Sequence, residues 1–170
     1  MKRILITGGA GFIGTNVTDR YLAADHRVTI LDNFSRPGSA ENARLLKKRY
    51  GSQLRIVRAD VRQLHKGLIA LMDQNEVVFH FAAQVAVTTS VANPREDFES
   101  NALGTFNILE AARRSAARPL VIYSSTNKVY GELADVECAE LGSRYASALS
   151  SRGVSEDRPW DFYSPYGCSM

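Results

Sequence analysis

Tyr166, in the run Ser164-Pro165-Tyr166-Gly167-Cys168-Ser169-Met170, supplies a phenol. Thr126, in Tyr123-Ser124-Ser125-Thr126-Asn127-Lys128-Val129-Tyr130-Gly131, supplies an aliphatic hydroxyl. Beside a hydride acceptor such a pair can oxidise an alcohol. The phenolate takes the hydroxyl proton as hydride leaves carbon, and the Ser/Thr hydroxyl orients the substrate. Taken singly, each has a plainer reading: Thr126 as a turn residue, Tyr166 as a half-buried aromatic with a satisfied hydroxyl.

The hydride acceptor has its own signature near the start of the chain. Ile4 to Gly14 reads ILITGGAGFIG, a strand-like run, glycines, then apolar residues at helical spacing (Phe12, Ile13, Val17, Tyr21, Leu22). In Gly9-x-Gly11-x-x-Gly14 one glycine suits a tight turn, a second lets the backbone approach a pyrophosphate, and a third lets helix pack on strand. The phosphates then sit over unpaired N–H groups at the helix's positive end. A second strand-like run, Val28 to Asp32, ends in a carboxylate eighteen residues beyond Gly14, close to the interval of about 20 at which an acid meets the ribose diol. That carboxylate accepts hydrogen bonds from the diol and repels a 2′-phosphate, which favours NAD over NADP. The bland alternative is a glycine turn followed by an ordinary surface aspartate. A lone glycine motif is weak evidence, but here strand, glycines, helix and acid stand in order.

These residues need a frame to bring them together. Strands are expected at Arg3–Thr7, Arg27–Leu31, Leu54–Arg58, Val77–Phe81 and Leu120–Ser124. Helices are expected at Phe12–Ala24, Ala40–Tyr50, Leu64–Gln74 and from about Pro94 to Ala116. In the last helix Phe98, Ala102, Thr105, Phe106, Leu109 and Ala112 form the expected buried face, and Pro94 suits its first turn. Short β-rich runs separated by helices predict an α/β fold with a parallel sheet and right-handed crossovers. Ligands in such sheets bind beyond the carboxyl ends of the strands. Thr7, Asp32, Asp60, Phe81 and Ser124 all fall there and should line one crevice. Glu132 to Pro159 is polar and without strong period, which leaves a functional or a mobile segment open.

Bulk properties narrow the classes. A chain of 170 residues, 45% hydrophobic and 23% charged, fits one domain that buries about 70% of its extended surface. The net charge of +3 is mild. The cluster Arg44, Lys47, Lys48, Arg49 reads as a solvated helix face, and no known nucleic-acid motif accompanies it. Val77 to Val87, the longest apolar stretch, contains His80 and Gln84 and is far too short to cross a bilayer. Two cysteines, Cys138 and Cys168, make no disulfide framework, so a reducing cytoplasm is the expected compartment. His26, His65 and His80 have no ligand-like spacing, and no metal site is expected.

TGGAGFIG, Asp32-Asn33, His80-Phe81-Ala82-Ala83, Asn101-x-x-Gly104-Thr105, SSTNKVYG and SPYGCS occur in that order. Together they resemble the extended short-chain dehydrogenases/reductases, the nucleotide-sugar epimerases and dehydratases. Within that family Gln84–Asn101, Ser124–Gly131 and Asp161–Ser169 are similar to the 2-epimerases of CDP-linked 3,6-dideoxyhexoses. The resemblance spans the chain but only about the first half of such an enzyme. It implies a Rossmann-type doubly wound parallel sheet, incomplete at its C-terminal side, in one NAD-binding domain (1–170) without a substrate-binding domain.

By the same resemblance Gly8, Gly11, Phe12, Ile13 and Gly14 match the pyrophosphate loop. Asp32 and Asn33 match the adenosine-ribose contacts, and Asp60 with Val61 the adenine contacts. Phe81, Ala82 and Ala83 match the wall beside the cofactor, while Asn101 and Ser124 match further cofactor-side positions. Thr126 matches the catalytic Ser/Thr and Tyr166 the catalytic base. The implied partner is a nucleotide-sugar, and the implied assembly of full-length relatives is a homo-oligomer. A 4-epimerase, a 4,6-dehydratase and a non-catalytic dinucleotide-binding module stay open. Dehydratases commonly carry Asp-Glu after the catalytic Thr, where this chain has Asn127-Lys128.

One position departs from the pattern Tyr-x-x-x-Lys: Met170 stands where the lysine belongs. A free tyrosine titrates near 10, and a cation at ~4 Å in an effective dielectric of ~20 contributes ~4 kcal/mol, roughly three pKa units. Methionine supplies neither charge nor donor. The 170 residues alone are therefore expected to be poorly stable, with apolar surface left on the fifth strand and the long helix, and to lack epimerase activity.

Overall fold

The β-branched run Arg3–Thr7 forms β1, the central strand of a five-stranded parallel sheet ordered β3-β2-β1-β4-β5. The computed structural model describes residues 1–147 and 153–170. Flanking β1 are β2 (Arg27–Asp32) and β4 (Val77–His80), with Ile4 in register with Val28 on one side and Val77 on the other. β3 (Leu54–Arg58) and β5 (Leu120–Tyr123) close the two edges. Strand order reverses at β1: the chain winds outward to β3, then crosses back to β4. That reversal opens a crevice at the carboxyl ends of β1 and β4.

Both faces of the inner strands are covered, which is why β1 and β2 are nearly continuous runs of apolar residues rather than alternating ones. One face packs Ile4, Ile6, Val28, Ile30 and Leu54 against Leu22 of α1 (Phe12–Ala23) and Ala43 and Leu46 of α2 (Ser39–Tyr50). The other packs Leu5, Leu31 and Val78 against α3 (Lys66–Asp73), through Leu68, Leu71 and Met72. Ile108, Ala111 and Ala112 complete that second layer.

The expected strands are present within one residue at either end. α3 is shorter than Leu64–Gln74 because the His65 ring caps it, Nδ1 accepting the Leu68 N–H at 3.3 Å. The single helix expected from Pro94 to Ala116 is three pieces: α5 (Pro94–Phe98), a π-helical turn (Glu99–Leu103) and α6 (Gly104–Arg114). A short helix not foreseen, α4 (Val87–Ala92), precedes them. A 3₁₀ turn (Asn127–Tyr130) precedes the polar segment from Glu132 onward, which holds an antiparallel hairpin, β6 (Cys138–Leu141) with β7 (Arg144–Ser147). Residues 148–152 of that segment lie outside the described residues. Among the described residues no helix is long and apolar enough to cross a membrane. α7 (Pro165–Ser169) carries Tyr166 and is capped by Ser164, whose Oγ accepts the Gly167 N–H at 3.1 Å.

The buried face expected for the long helix is offset from the observed one. Phe98, Phe106 and Leu109 are exposed, and the residues that face inward are Asp97, Asn101, Gly104, Asn107, Ile108, Ala111 and Ala112. Both sets have helical spacing. The observed set contains three polar residues with buried hydrogen-bond partners, so apolar character alone selected the wrong phase. Leu120 and Ile122 on β5 are exposed as well.

This offset has a direct test in urea unfolding. Ile108→Ala, at a side chain with 0% exposure, should cost about 2–5 kcal/mol. Phe106→Ala, two positions away and 61% exposed, should stay within about 0.5 kcal/mol of the parent.

Candidate functional site

The turn after β1 is built by mutual approach of backbones. Gly8 has φ +65°, a left-handed conformation that glycine adopts without steric cost. Its N–H donates to the Leu31 carbonyl at 2.8 Å and its carbonyl accepts from Gly11 N–H at 3.0 Å. A Cβ on Gly14 would stand 2.1 Å from the Gly8 oxygen, so only glycine lets the first turn of α1 settle onto the loop. A Cβ on Gly9 would strike Ile30 at 2.5 Å. The tight turn therefore belongs to Gly8 rather than to the first glycine of the spaced motif. At Gly11 a Cβ would meet only the Gly8 oxygen, at 3.3 Å, so its outer side is open.

Gly11 is the N-cap of α1, and no side chain caps the helix there. The first N–H groups of a helix have no partner within it. At α1 they point with the helix's positive end toward the carboxyl edge of the sheet. Phe12 and Ile13 are exposed at the rim of this opening. An uncapped helix start behind a turn free of side chains is the cradle that a diphosphate fits.

Asp32 closes the loop from the neighbouring strand. Its Oδ2 accepts the Ala10 N–H at 3.0 Å and its Oδ1 the Phe34 N–H at 2.9 Å. Each oxygen keeps a lone pair for a hydroxyl, which suits a ribose diol. Asn33 donates from Nδ2 to Asp60 Oδ2 at 3.1 Å, linking the ends of β2 and β3. Arg62 grips the same Asp60 carboxylate through Nε at 3.0 Å and Nη2 at 2.7 Å. The Arg62 hydrogen bonds hold the Asp60 pKa down at about 2. Val61 is buried in the core under Gly104, and its carbonyl accepts Asn107 Nδ2 at 2.9 Å.

Phe81, Ala82 and Ala83 continue β4 into the crevice. Phe81 N–H donates to the Thr7 carbonyl at 3.1 Å and Ala82 N–H to Thr7 Oγ1 at 3.3 Å. A Cβ on Gly8 would stand 2.8 Å from the Ala82 nitrogen, so glycine turn and wall are in direct contact. Asn101 is buried, and protein groups use both ends of its amide. Oδ1 accepts the Gln84 N–H at 2.7 Å, while Nδ2 faces Gln84 O at 3.1 Å and Ser169 Oγ at 2.9 Å.

The hydroxyl residues gather beside β5. Ser124 follows the strand directly and is exposed, its N–H directed at the His80 carbonyl at 3.5 Å. Thr126 heads the 3₁₀ turn, its Oγ1 accepting the Lys128 N–H at 3.3 Å. That turn packs on α7: a Cβ on Gly167 would fall 2.7 Å from the Lys128 oxygen. Thr126 and Tyr166 thus lie on two elements in direct contact. Tyr166 is buried, and its N–H donates to Ser90 Oγ at 3.1 Å.

Sequence reasoning missed what holds α7 in place. Asp97, 1% exposed, accepts from Gln84 Nε2 at 2.8 Å and from Ser169 Oγ at 2.6 Å. With the Ser90 contact these bonds fasten both ends of the Tyr166 helix to α4 and α5. The signal was Asp97 and Asn101 at an i, i+4 interval, the spacing of one helix face. Among the described residues no group of three or more His, Cys, Asp or Glu could hold a metal.

Strand order, glycine turn, uncapped helix and acid at the end of β2 define a dinucleotide-binding unit of Rossmann type. A family model described as GDP-mannose 4,6 dehydratase matches residues 5–169, and the chain belongs to that family of nucleotide-sugar epimerases and dehydratases. It is 39% identical over 168 residues to CDP-paratose 2-epimerase of Salmonella typhi, covering 98% of this chain and 49% of that protein. It is 33% identical over 169 residues to a dTDP-glucose 4,6-dehydratase of Mycobacterium tuberculosis (98% and 45%). The crystal structure of UDP-glucose 4-epimerase from Thermus thermophilus in complex with NAD superposes with TM-score 0.73 and 34% identity, over 98% of this chain and 47% of that one. The chain spans about half the length of these relatives.

The Asp60 carboxylate predicts an acid-sensitive component of stability. Its folded pKa of about 2 lies below the ordinary 3.8, so the stability it supplies is complete above pH 4 and vanishes as pH falls through 2. Asp60→Asn should remove that component, on the order of 2 kcal/mol at most. Thermal melts from pH 5 to pH 2 should then fall less steeply than those of the parent.

Proposed function

We propose that this chain is the NAD-binding part of a nucleotide-sugar epimerase that inverts C2 of the sugar in a CDP-3,6-dideoxyhexose. The observation that carries the NAD reading is the Asp32 carboxylate, anchored by two backbone N–H groups beside the uncapped start of α1. The C2 and CDP readings rest on the likeness to CDP-paratose 2-epimerase along nearly the whole chain.

Gly8, Gly11 and the first N–H groups of α1 would hold the diphosphate, Asp32 and Asn33 the adenosine ribose, and Asp60 and Val61 the adenine side. Phe81, Ala82 and Ala83 would wall the cofactor, with Ser124 on its side of the crevice and Asn101 buried behind it, holding Ser169 of the Tyr166 helix. NAD, when bound, supplies an acceptor and then a donor of hydride, so the sugar is inverted with no net redox change. Tyr166 would take the proton of the sugar hydroxyl and later return it. Thr126 would orient that hydroxyl by hydrogen bonding.

At the lysine position Met170 offers no cation to favour the Tyr166 phenolate. The matched span also covers only about half of the relatives. The missing cation supports a 170-residue chain that does not turn over by itself.

The 4,6-dehydratase reading is favoured by the family description and the dehydratase match. Against it stands Asn127-Lys128 after the threonine. Product analysis separates the two, since a dehydratase releases water and an epimerase returns an isomer.

Calorimetric titration of the 170-residue chain should show NAD binding and little NADP binding. Asp32→Ala should weaken NAD about tenfold or more, the loss of about 1.4 kcal/mol. Absence of NAD binding by the parent chain would overturn the cofactor reading. Incubation of the same chain, and of Met170→Lys, with a CDP-3,6-dideoxyhexose should yield no epimer, and product from either would refute the inactivity.

A further inference from the structure

Two acids stand at the ends of neighbouring strands beside the crevice, and their carboxylates are in opposite condition. Asp32, which ends β2, accepts one backbone N–H on each oxygen. Asp60, just past β3, accepts two donors on each. Its Oδ1 takes the Arg62 backbone N–H at 2.9 Å and Arg62 Nε at 3.0 Å. Its Oδ2 takes Arg62 Nη2 at 2.7 Å and Asn33 Nδ2 at 3.1 Å. A carboxylate has about four lone-pair sites, so this one is full.

These bonds hold one another in place. The guanidinium fork meets both oxygens at once, a bidentate geometry that fixes direction as well as distance. The Arg62 backbone N–H closes a tight turn on the same carboxylate, and the Gln63 N–H donates to the Asp60 carbonyl at 3.2 Å, so side chain and main chain are tied together. Only 18% of the Asp60 side chain is exposed, which leaves water little access to compete. With its pKa held at about 2, chiefly by the Arg62 side-chain hydrogen bonds, the group has no proton to donate at neutral pH. It can neither accept from the amino group of a base nor donate to a ring nitrogen.

We propose that Asp60 is a positioning residue, which fixes Asn33 and Arg62 around the adenosine end and leaves the 6-amino group of the base unread. The ligand class is then a nicotinamide dinucleotide carrying either a 6-amino or a 6-oxo purine. Discrimination falls to the diol at Asp32 and to the diphosphate cradle, which meet parts that such dinucleotides share. Arg62 sets this tolerance, because it supplies three of the four donors. Without its side chain each oxygen of Asp60 regains one lone pair. The inference rests on the NAD reading above, which puts the adenine beside Asp60.

Calorimetric titration of the 170-residue chain with NAD and with nicotinamide hypoxanthine dinucleotide tests this. The second compound has an oxygen in place of the 6-amino group and a proton on N1, and is otherwise the same molecule. Its affinity should lie within about threefold of that for NAD. A larger preference for NAD would overturn the inference and leave the cofactor reading standing, whereas binding of neither would overturn both. Arg62→Ala, which keeps the backbone donor at 62 and Asn33, should shift the ratio about tenfold toward NAD as Asp60 gains room to accept the amino group. The ratio is taken within one variant, so a general loss of affinity cancels. An unchanged ratio in Arg62→Ala would refute the assignment of the tolerance to a filled Asp60.

Discussion

Everything at the crevice depends on how closely three backbones meet around Gly8. The start of α1 presses its Gly14 against the Gly8 oxygen from one side, and Ala82 presses on Gly8 from the other. No side chain fits at either contact. This steric constraint aims the positive end of α1 at the carboxyl edge of the sheet, and it places the wall within reach of whatever the helix holds. Asp32 adds the electrostatic half of the arrangement by drawing the Ala10 and Phe34 amides onto one carboxylate. The cradle is thus preformed by packing and backbone hydrogen bonds, so little ordering is left for a ligand to impose.

The two halves of the site are held by different physics. Around the glycine turn the fixing elements are apolar strands buried on both faces, Ile4 to Ile6 and Val28 to Leu31. Around Tyr166 they are buried polar groups: Ser90, Gln84, Asp97, Asn101 and Ser169. Burial of apolar area is tolerant of small shifts, whereas hydrogen bonds lose strength over a few tenths of an ångström. A base that must meet a sugar hydroxyl within hydrogen-bond reach is better served by the second kind of fastening.

Much of the fold could be read from the chain. Runs rich in β-branched residues marked all the strands of the main sheet, and the spaced glycines with Asp32 marked the cradle. The long helix was harder. Phe98, Phe106 and Leu109 offered an apolar stripe one residue away from the face that is buried, because Asp97, Asn101 and Asn107 enter the interior with partners from distant segments. Periodicity reports which residues dislike water; it is silent on polar residues whose partners lie far along the chain. The hairpin of β6 and β7 has mostly exposed strands, so it leaves no alternation of burial to detect. Asp60 was legible only as a strand end, since the donors around its carboxylate come from both Asn33 and Arg62.

Asp97 also bears on how this surface can change over evolutionary time. Its carboxyl is dry and satisfied by neutral donors from residues 84, 101 and 169. A mutation at any one of these strands an oxygen in the interior, and a mutation at Asp97 strands the donors. Drift across these positions therefore has to proceed in concert, so their substitutions should covary among homologues even though they sit on separate segments.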